Sequence, residues 1–249
     1  MNRGLYGFSF IEQPPSYAGT PPQIMSPDLV PDLRGWLKAE TLAPLADGSA
    51  IQNWNDVRGT GITCVQNTAA NRPFFYNDVR NGLPAVRSDK TNDFFTVGGI
   101  TTSSTEHTCI FALRKHTSDA QLGYLLSSST GSSIGITIAW ITGGAQTGPL
   151  WGNAPNNWTF GDGLPFEWTI LTAVWSAEFS YLYRNGVMVG SGAPGTIGFS
   201  GDTCLFKRHS TATNYSGVEL GEFCYFDRAL THYEHVSIAN YMNARYLIY

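Results

Sequence analysis

From Leu33 onward the chain is written as short apolar runs of four to eight residues, rich in Val, Ile, Thr, Phe, Tyr and Trp and separated by clusters of Gly, Asn, Asp and Ser. That punctuation admits few folds, because runs so short, with β-branched and aromatic content, suit a pleated, half-buried surface. The clearest strands are predicted over residues 108–113, 123–127, 134–141, 168–175, 179–184, 187–191, 203–206 and 218–226. Asn185-Gly186 separates two such runs and supplies the φ > 0 turn that matches strand twist, which predicts a hairpin there. Helical signals wait until the end. Thr231-His232-Tyr233-Glu234 has the spacing of a capping box. Val236, Ala239, Tyr241, Met242 and Tyr246 then recur at three- and four-residue steps, leaving Glu234, His235, Asn240 and Asn243 outward. Many strands and one short helix predict an all-β fold, a two-sheet antiparallel jelly-roll sandwich, since a single sheet of so many half-apolar strands cannot cover itself.

Composition narrows the function classes. With 42% hydrophobic and 14% charged residues, 249 residues bury a sizeable core, which sets aside disordered and coiled-coil readings. Fifteen Lys and Arg against 19 Asp and Glu give a net charge of −4 with no basic run, so nucleic acid is not an expected partner. No stretch reaches the roughly 18 apolar residues of a membrane span. Residues 1–8 lack the apolar run of an export signal, so folding in a cytoplasm is expected. Cys64, Cys109, Cys204 and Cys224 lie far apart without metal-site spacing and are expected as buried, reduced thiols.

Residues 1–32 read differently. Six of the 13 prolines, Pro14, Pro15, Pro21, Pro22, Pro27 and Pro31, sit here among Ser, Gly, Thr and Gln, which predicts an extended arm. The arm also carries Leu5, Tyr6, Phe8, Phe10, Ile11 and Tyr17, apolar side chains that need a surface. Two surfaces are open to them, the arm's own domain or a neighbouring subunit. The second is the working expectation, and with it a homo-oligomer whose symmetry the sequence does not specify.

Three motifs in residues 33–249 share one order with a known family. The first is Gly35-Trp36-Leu37-Lys38-Ala39, followed by Ile51-Gln52-Asn53-Trp54-Asn55-Asp56. The second is Asn81-Gly82-Leu83-Pro84-Ala85-Val86-Arg87. The third is Glu222-Phe223-Cys224-Tyr225-Phe226-Asp227-Arg228-Ala229-Leu230-Thr231, with Glu234 and Tyr241 after it. In this the chain resembles the concanavalin A-like, laminin-G-like jelly rolls of bacterial surface proteins and of tailed-phage structural proteins. It departs from them after Arg87, where residues 88–93 replace the usual Phe-Asp-Gly turn, so an ion role that relatives give that turn is not carried over. The resemblance implies a virion structural protein, a capsid decoration, head fibre or tail-associated component assembled in a host cytoplasm, with other virion proteins held through the arm.

A glycoside hydrolase needs two carboxylates about 5 to 9.5 Å apart. Glu219-Leu220-Gly221-Glu222 is the nearest pairing, and a spacing of three on a regular strand puts the acids on opposite faces. Glu222 is therefore read as structural, Asp227 as an acceptor for turn amides and Arg228 as the partner of a nearby carboxylate. No catalytic residue, metal or cofactor is expected. His107, His116, His209, His232 and His235 are scattered and read as surface residues, and Lys90 inside the 89–93 turn argues against calcium. The long stretch 143–168 holds Trp151, Asn156, Asn157, Trp158 and Asp162, aromatic faces with amide and carboxylate groups that suit a shallow carbohydrate site, such as one for a host-surface glycan. Trp151 and Trp158 equally suit anchoring of that stretch to its own sandwich. The expected function is non-enzymatic display of a lectin-like jelly roll; the alternative is a bacterial carbohydrate-binding module or glycoside hydrolase.

Overall fold

The computed structural model describes residues 24–59, 61–100, 106–117, 123–130, 133–141, 148–151, 158–159, 165–192, 200–208 and 214–249. The arm residues Leu5, Tyr6, Phe8, Phe10, Ile11 and Tyr17 lie outside them. The strands are β1 (Leu33–Lys38), β2 (Ser49–Ala50), β3 (Asn53–Asn55), β4 (Thr63–Val65), β5 (Phe74–Arg80), β6 (Leu83–Arg87), β7 (Phe95–Gly98), β8 (His107–Lys115), β9 (Gly123–Thr130), β10 (Ser133–Ile141), β11 (Gly148–Trp151), β12 (Trp158–Thr159), β13 (Thr169–Trp175), β14 (Ser180–Arg184), β15 (Val187–Gly192), β16 (Ser200–Leu205) and β17 (Val218–Phe226). One α-helix, α1 (His232–Tyr246), follows. All eight expected strands are present, with ends shifted by at most three residues.

Among the described residues the strands form two antiparallel sheets, giving the expected jelly-roll sandwich. The first runs β15-β14-β13-β8-β17-β6-β5-β2, with β1 also paired to β17; the second runs β12-β11-β10-β9-β16-β7-β4-β3. Their inner faces share a core that includes Leu37, Trp54, Phe75, Phe95, Leu125, Leu126, Phe206 and Phe223. Phe111 and Phe223, register partners on β8 and β17, stack at 4.5 Å between ring centroids. Strands β8, β13 and β17 are buried at nearly every position because they are covered twice. Their inner side chains meet the second sheet, while Ile110, Ala112, Ile170, Cys224 and Phe226 meet Ile238, Ala239, Met242 and Tyr246 of α1 on the outer face.

The family-like motifs turn out to be joints. Asp56 accepts from the amides of Trp36 (2.5 Å), Arg58 (3.2 Å) and Gly61 (3.1 Å), tying β1 to the turn after β3. Asn81 and Gly82, at φ 52° and 72°, make the two-residue turn between β5 and β6; Asn185 and Gly186, at 52° and 77°, make the predicted hairpin. Helix α1 begins with the expected capping box, Thr231 and Glu234 each accepting from the other's amide. Its terminal carbonyls are met from the β5–β6 hairpin: Arg80 Nε donates to Tyr246 O (2.7 Å), Arg80 Nη2 to Leu247 O, and Asn81 Nδ2 to Arg245 O (2.6 Å).

One expectation about the helix fails. His235 is buried, not outward, with its ring 4.1 Å from that of Tyr183 on β14. The helix lies deeper on the sheet than a stripe of large side chains suggests, because small Ser237 and Ala239 are buried with Ile238 and bring the backbone close.

A second expectation fails for a different reason. Leu220 pairs with Leu113 and Glu222 with Ala112, so Gly221 is an extra residue in β17. This β-bulge resets the alternation and brings Glu219 and Glu222 to the same, outer face. Gly221 is required by space: a Cβ there would lie 2.6 to 2.8 Å from the ring and hydroxyl of Tyr246. Gly221→Ala is expected to cost about 1–3 kcal/mol in an equilibrium denaturation, the range for overpacking. Pairing it with Tyr246→Leu should recover part of that loss, whereas equal destabilisation in the double variant would count against the clash.

Candidate functional site

Of the expected carbohydrate residues, Trp151 and Trp158 lie in the last two strands of the second sheet. The 143–168 stretch is not a continuous loop, since β11 and β12 lie within it and pair antiparallel, with Leu150 opposite Thr159 and Trp151 opposite Trp158. Strands of four and two residues, one opening on Gly-Pro, carry little period-2 signal, which is why the sequence hides them. Strand β12 is the outermost of its sheet among the described residues. Asn156, Asn157 and Asp162 lie outside the described residues. Trp168, which belongs to the same stretch, is elsewhere: it is buried on the outer face of the first sheet and stacked on Tyr246 at 5.5 Å.

The two acids brought together by the bulge are both fully buried, and each is held by cations. Glu222 accepts from Trp36 Nε1 (2.6 Å) and Arg245 Nε (3.3 Å), and Arg245 also reaches Glu40, which Lys38 Nζ approaches at 3.6 Å. Burial pushes the Glu222 carboxyl above its ordinary range, with Arg245 and the Trp36 hydrogen bond opposing that rise. Glu219 is gripped from both sides, by Arg87 (Nε to Oε1, 2.8 Å, and Nη2) and by Arg114 Nε on Oε2, with His116 Nδ1 3.9 Å away. Acids committed in this way hold strands and helix together, which supports the structural reading of Glu222.

The third motif also resolves into contacts. Arg228 pairs with a carboxylate as expected, its Nη1 and Nη2 reaching Glu234 at 2.9 and 2.7 Å, which drives that carboxyl down to about 2. Asp227 faces Arg34 Nε at 3.5 Å and His107 Nδ1 at 3.8 Å, and the Leu230 amide donates to Thr108 Oγ1. His107 is buried, with Tyr225 Oη 3.1 Å from its Nδ1, so it too departs from the surface placement; His116 and His232 are solvent-accessible, and His209 lies outside the described residues.

In the 89–93 turn the carboxylates serve the turn's own amides. Asp89 Oδ1 accepts from Thr91 (2.7 Å), Asn92 (3.2 Å) and Asp93 (3.3 Å), and Asp93 Oδ2 accepts from Asp89 N (3.0 Å). Burial, with Asp89 beside it, pushes the Asp93 carboxyl up to about 7. Among the described residues no cluster of three or more His, Cys, Asp or Glu is placed to hold a metal ion, and no helix is long and apolar enough to cross a membrane. All four cysteines are buried thiols outside disulfides, and burial raises the thiols of Cys64, Cys109 and Cys224.

No family model and no curated protein matches the sequence. Solved structures match by fold. The binding domain of Paraclostridial Mosquitocidal Protein 1 superposes with a TM-score of 0.60 at 15% identity, over 84% of this chain and 52% of that one. Domain 4 of AbnA, a GH43 extracellular arabinanase from Geobacillus stearothermophilus solved with arabinotriose, gives 0.59 at 16% identity, over 84% of this chain and 98% of that one. The receptor-binding domain of botulinum neurotoxin C/D mosaic serotype gives 0.57 at 9%, over 84% and 51%. The chain thus spans about half the length of the two toxin chains. Identities this low establish a shared β-sandwich fold.

Burial of His235 has a measurable consequence. Its pKa is lowered to about 3, first by burial and then by His232, with Glu234 opposing. Below about 6.5 the unfolded chain takes up a proton here that the folded chain refuses. Stability is therefore lost as pH falls from about 6.5 to about 3, by about 1.4 kcal/mol per unit. Urea denaturation of the wild type and His235→Phe across that window should show the steeper slope only in the wild type; parallel slopes would mean that the imidazole titrates freely.

Proposed function

We propose that this chain is a non-catalytic carbohydrate-binding jelly roll, held to a larger assembly by its proline-rich arm. The observation that carries the reading is the register of β11 and β12. It sets Trp151 directly opposite Trp158 in the outermost described strand pair of the second sheet, and positions so opposed lie on one face of a pleated pair. Two aromatic positions on one face, with Asn156, Asn157 and Asp162 in the same stretch of sequence, are the composition a sugar requires: flat apolar surface for its C–H faces and polar groups for its hydroxyls. The fold shared with an arabinanase domain solved with arabinotriose supports the same reading.

The assembly we favour is the virion of a tailed phage, with the jelly roll as a capsid decoration, head fibre or tail-associated part, other virion proteins gripping residues 1–32, and a host-surface glycan as ligand. A bacterial carbohydrate-binding module shares the sugar site and differs in what the arm joins. The hydrolase reading is weaker, because Glu219 and Glu222, the acid pair nearest to one in sequence, are committed to Arg87, Arg114, Trp36 and Arg245.

On a glycan array the protein is expected to retain a defined set of sugars. Trp158→Ala should weaken that binding at least about tenfold, or about 1.4 kcal/mol, without lowering the melting temperature. An array blank for the wild type would end the carbohydrate reading. Incubation with the bound polysaccharide should release no new reducing ends; release that disappears in Glu222→Gln would establish an enzyme instead. Removing residues 1–32 should abolish incorporation into particles and leave sugar binding intact.

A further inference from the structure

Across the outer face of the first sheet one register row reads Phe74, Arg87, Glu219, Arg114, each directly opposite the next on β5, β6, β17 and β8. We propose that Arg87 and Arg114 form an anion site that receives the carboxylate or sulfate of an acidic sugar, a second contact that rests on the carbohydrate-binding reading above. Glu219 is fully buried and needs one guanidinium to neutralise it, yet it has two, so the group keeps a net positive charge. Arg114 holds Glu219 through Nε alone, and Arg87 through Nε and Nη2. Among the described residues no protein acceptor meets Arg114 Nη1 and Nη2 or Arg87 Nη1, and these are the fork edges that bind planar oxyanions in pairs.

The donors are both pinned and reachable. Their side chains keep 27% and 35% of their exposure, and Arg87 is further fixed by lying 3.9 Å over the ring of Tyr76. A ligand therefore finds the two forks already ordered, and the loss of side-chain freedom that usually opposes binding is small. His116, one-third exposed, borders the group, and after burial the largest cause of its lowered pKa is Arg87, with Arg114 acting in the same direction and Glu219 against. Phe74, half-buried at the end of the row, offers an apolar surface beside the charge. All this stands in a chain of net charge −4, so the attraction is local to the row.

The test uses the full chain with 15N-labelled arginine, and trigalacturonate, a sulfated galactose oligomer and neutral galactotriose as probes. Both acidic sugars should shift the Nε–H signals of Arg87 and Arg114, weaken as salt is raised, and move the His116 titration to higher pH. Arg114→Gln should lose about tenfold in affinity with Arg87 still neutralising Glu219, and Arg114→Lys should recover part of it; a melt of each variant checks folding. Response to one acidic sugar alone assigns the oxyanion. Equal response to galactotriose, or unchanged affinity in a folded Arg114→Gln, overturns the site while leaving array binding through Trp158 standing. Should the array be blank, inorganic sulfate remains as probe: shifts at both arginines keep the anion site without the sugar, and silence removes it.

Discussion

Strand β17 is buried on both faces over all nine of its residues, and most of the molecule is arranged to satisfy that. Its inner side chains, Val218, Leu220, Phe223 and Tyr225, fill the space between the sheets. Its outer ones, Cys224 and Phe226, need the helix, and the outer glutamates need cations. One long edge pairs with β8 throughout; the other is divided, β6 pairing at Glu219 and Leu220 and β1 from Glu222 to Phe226. The division falls at Gly221, so a single bulge sets the strand's alternation, splits its partners and admits the Tyr246 ring.

Burying two carboxylates on one strand is costly unless each is paired, since an unpaired buried charge costs about 3–5 kcal/mol. The partners come from distant parts of the chain: Trp36 and Arg245 for one, Arg87 and Arg114 for the other. The charges thereby specify how β1, β6, β8 and α1 meet around β17, which greasy contacts alone would leave freer to slide. The two candidate binding regions lie on different sheets, the Trp151–Trp158 pair on the second and the arginine row on the first.

Much of this was legible beforehand. Strand positions, the Asn185-Gly186 hairpin, the capping box and the sandwich all follow from local pattern, because turn chemistry and alternation act over a few residues. What stayed hidden was non-local. The bulge at Gly221 leaves no mark a reader could separate from an ordinary strand glycine, so Glu219 and Glu222 were assigned to opposite faces. His235 looked outward because helical spacing cannot say how deeply a helix will settle. Strands β11 and β12, four and two residues long, are too short for alternation to show. For Trp151 and Trp158 the sequence supplied the residue types, and only the pairing register supplied their juxtaposition.

The central position of β17 also governs when this protein can begin to fold on the ribosome. The strand that joins β8 to β1 and β6 is made from residue 218 onward, and the helix that roofs it follows. Until those residues emerge, β8 has an empty neighbour and the apolar outer face of the sheet has no cover. Such nascent edges invite association with other chains. A long interval of synthesis thus precedes any closed core, and throughout it the edge of β8 and the outer face of the first sheet lie open to other chains.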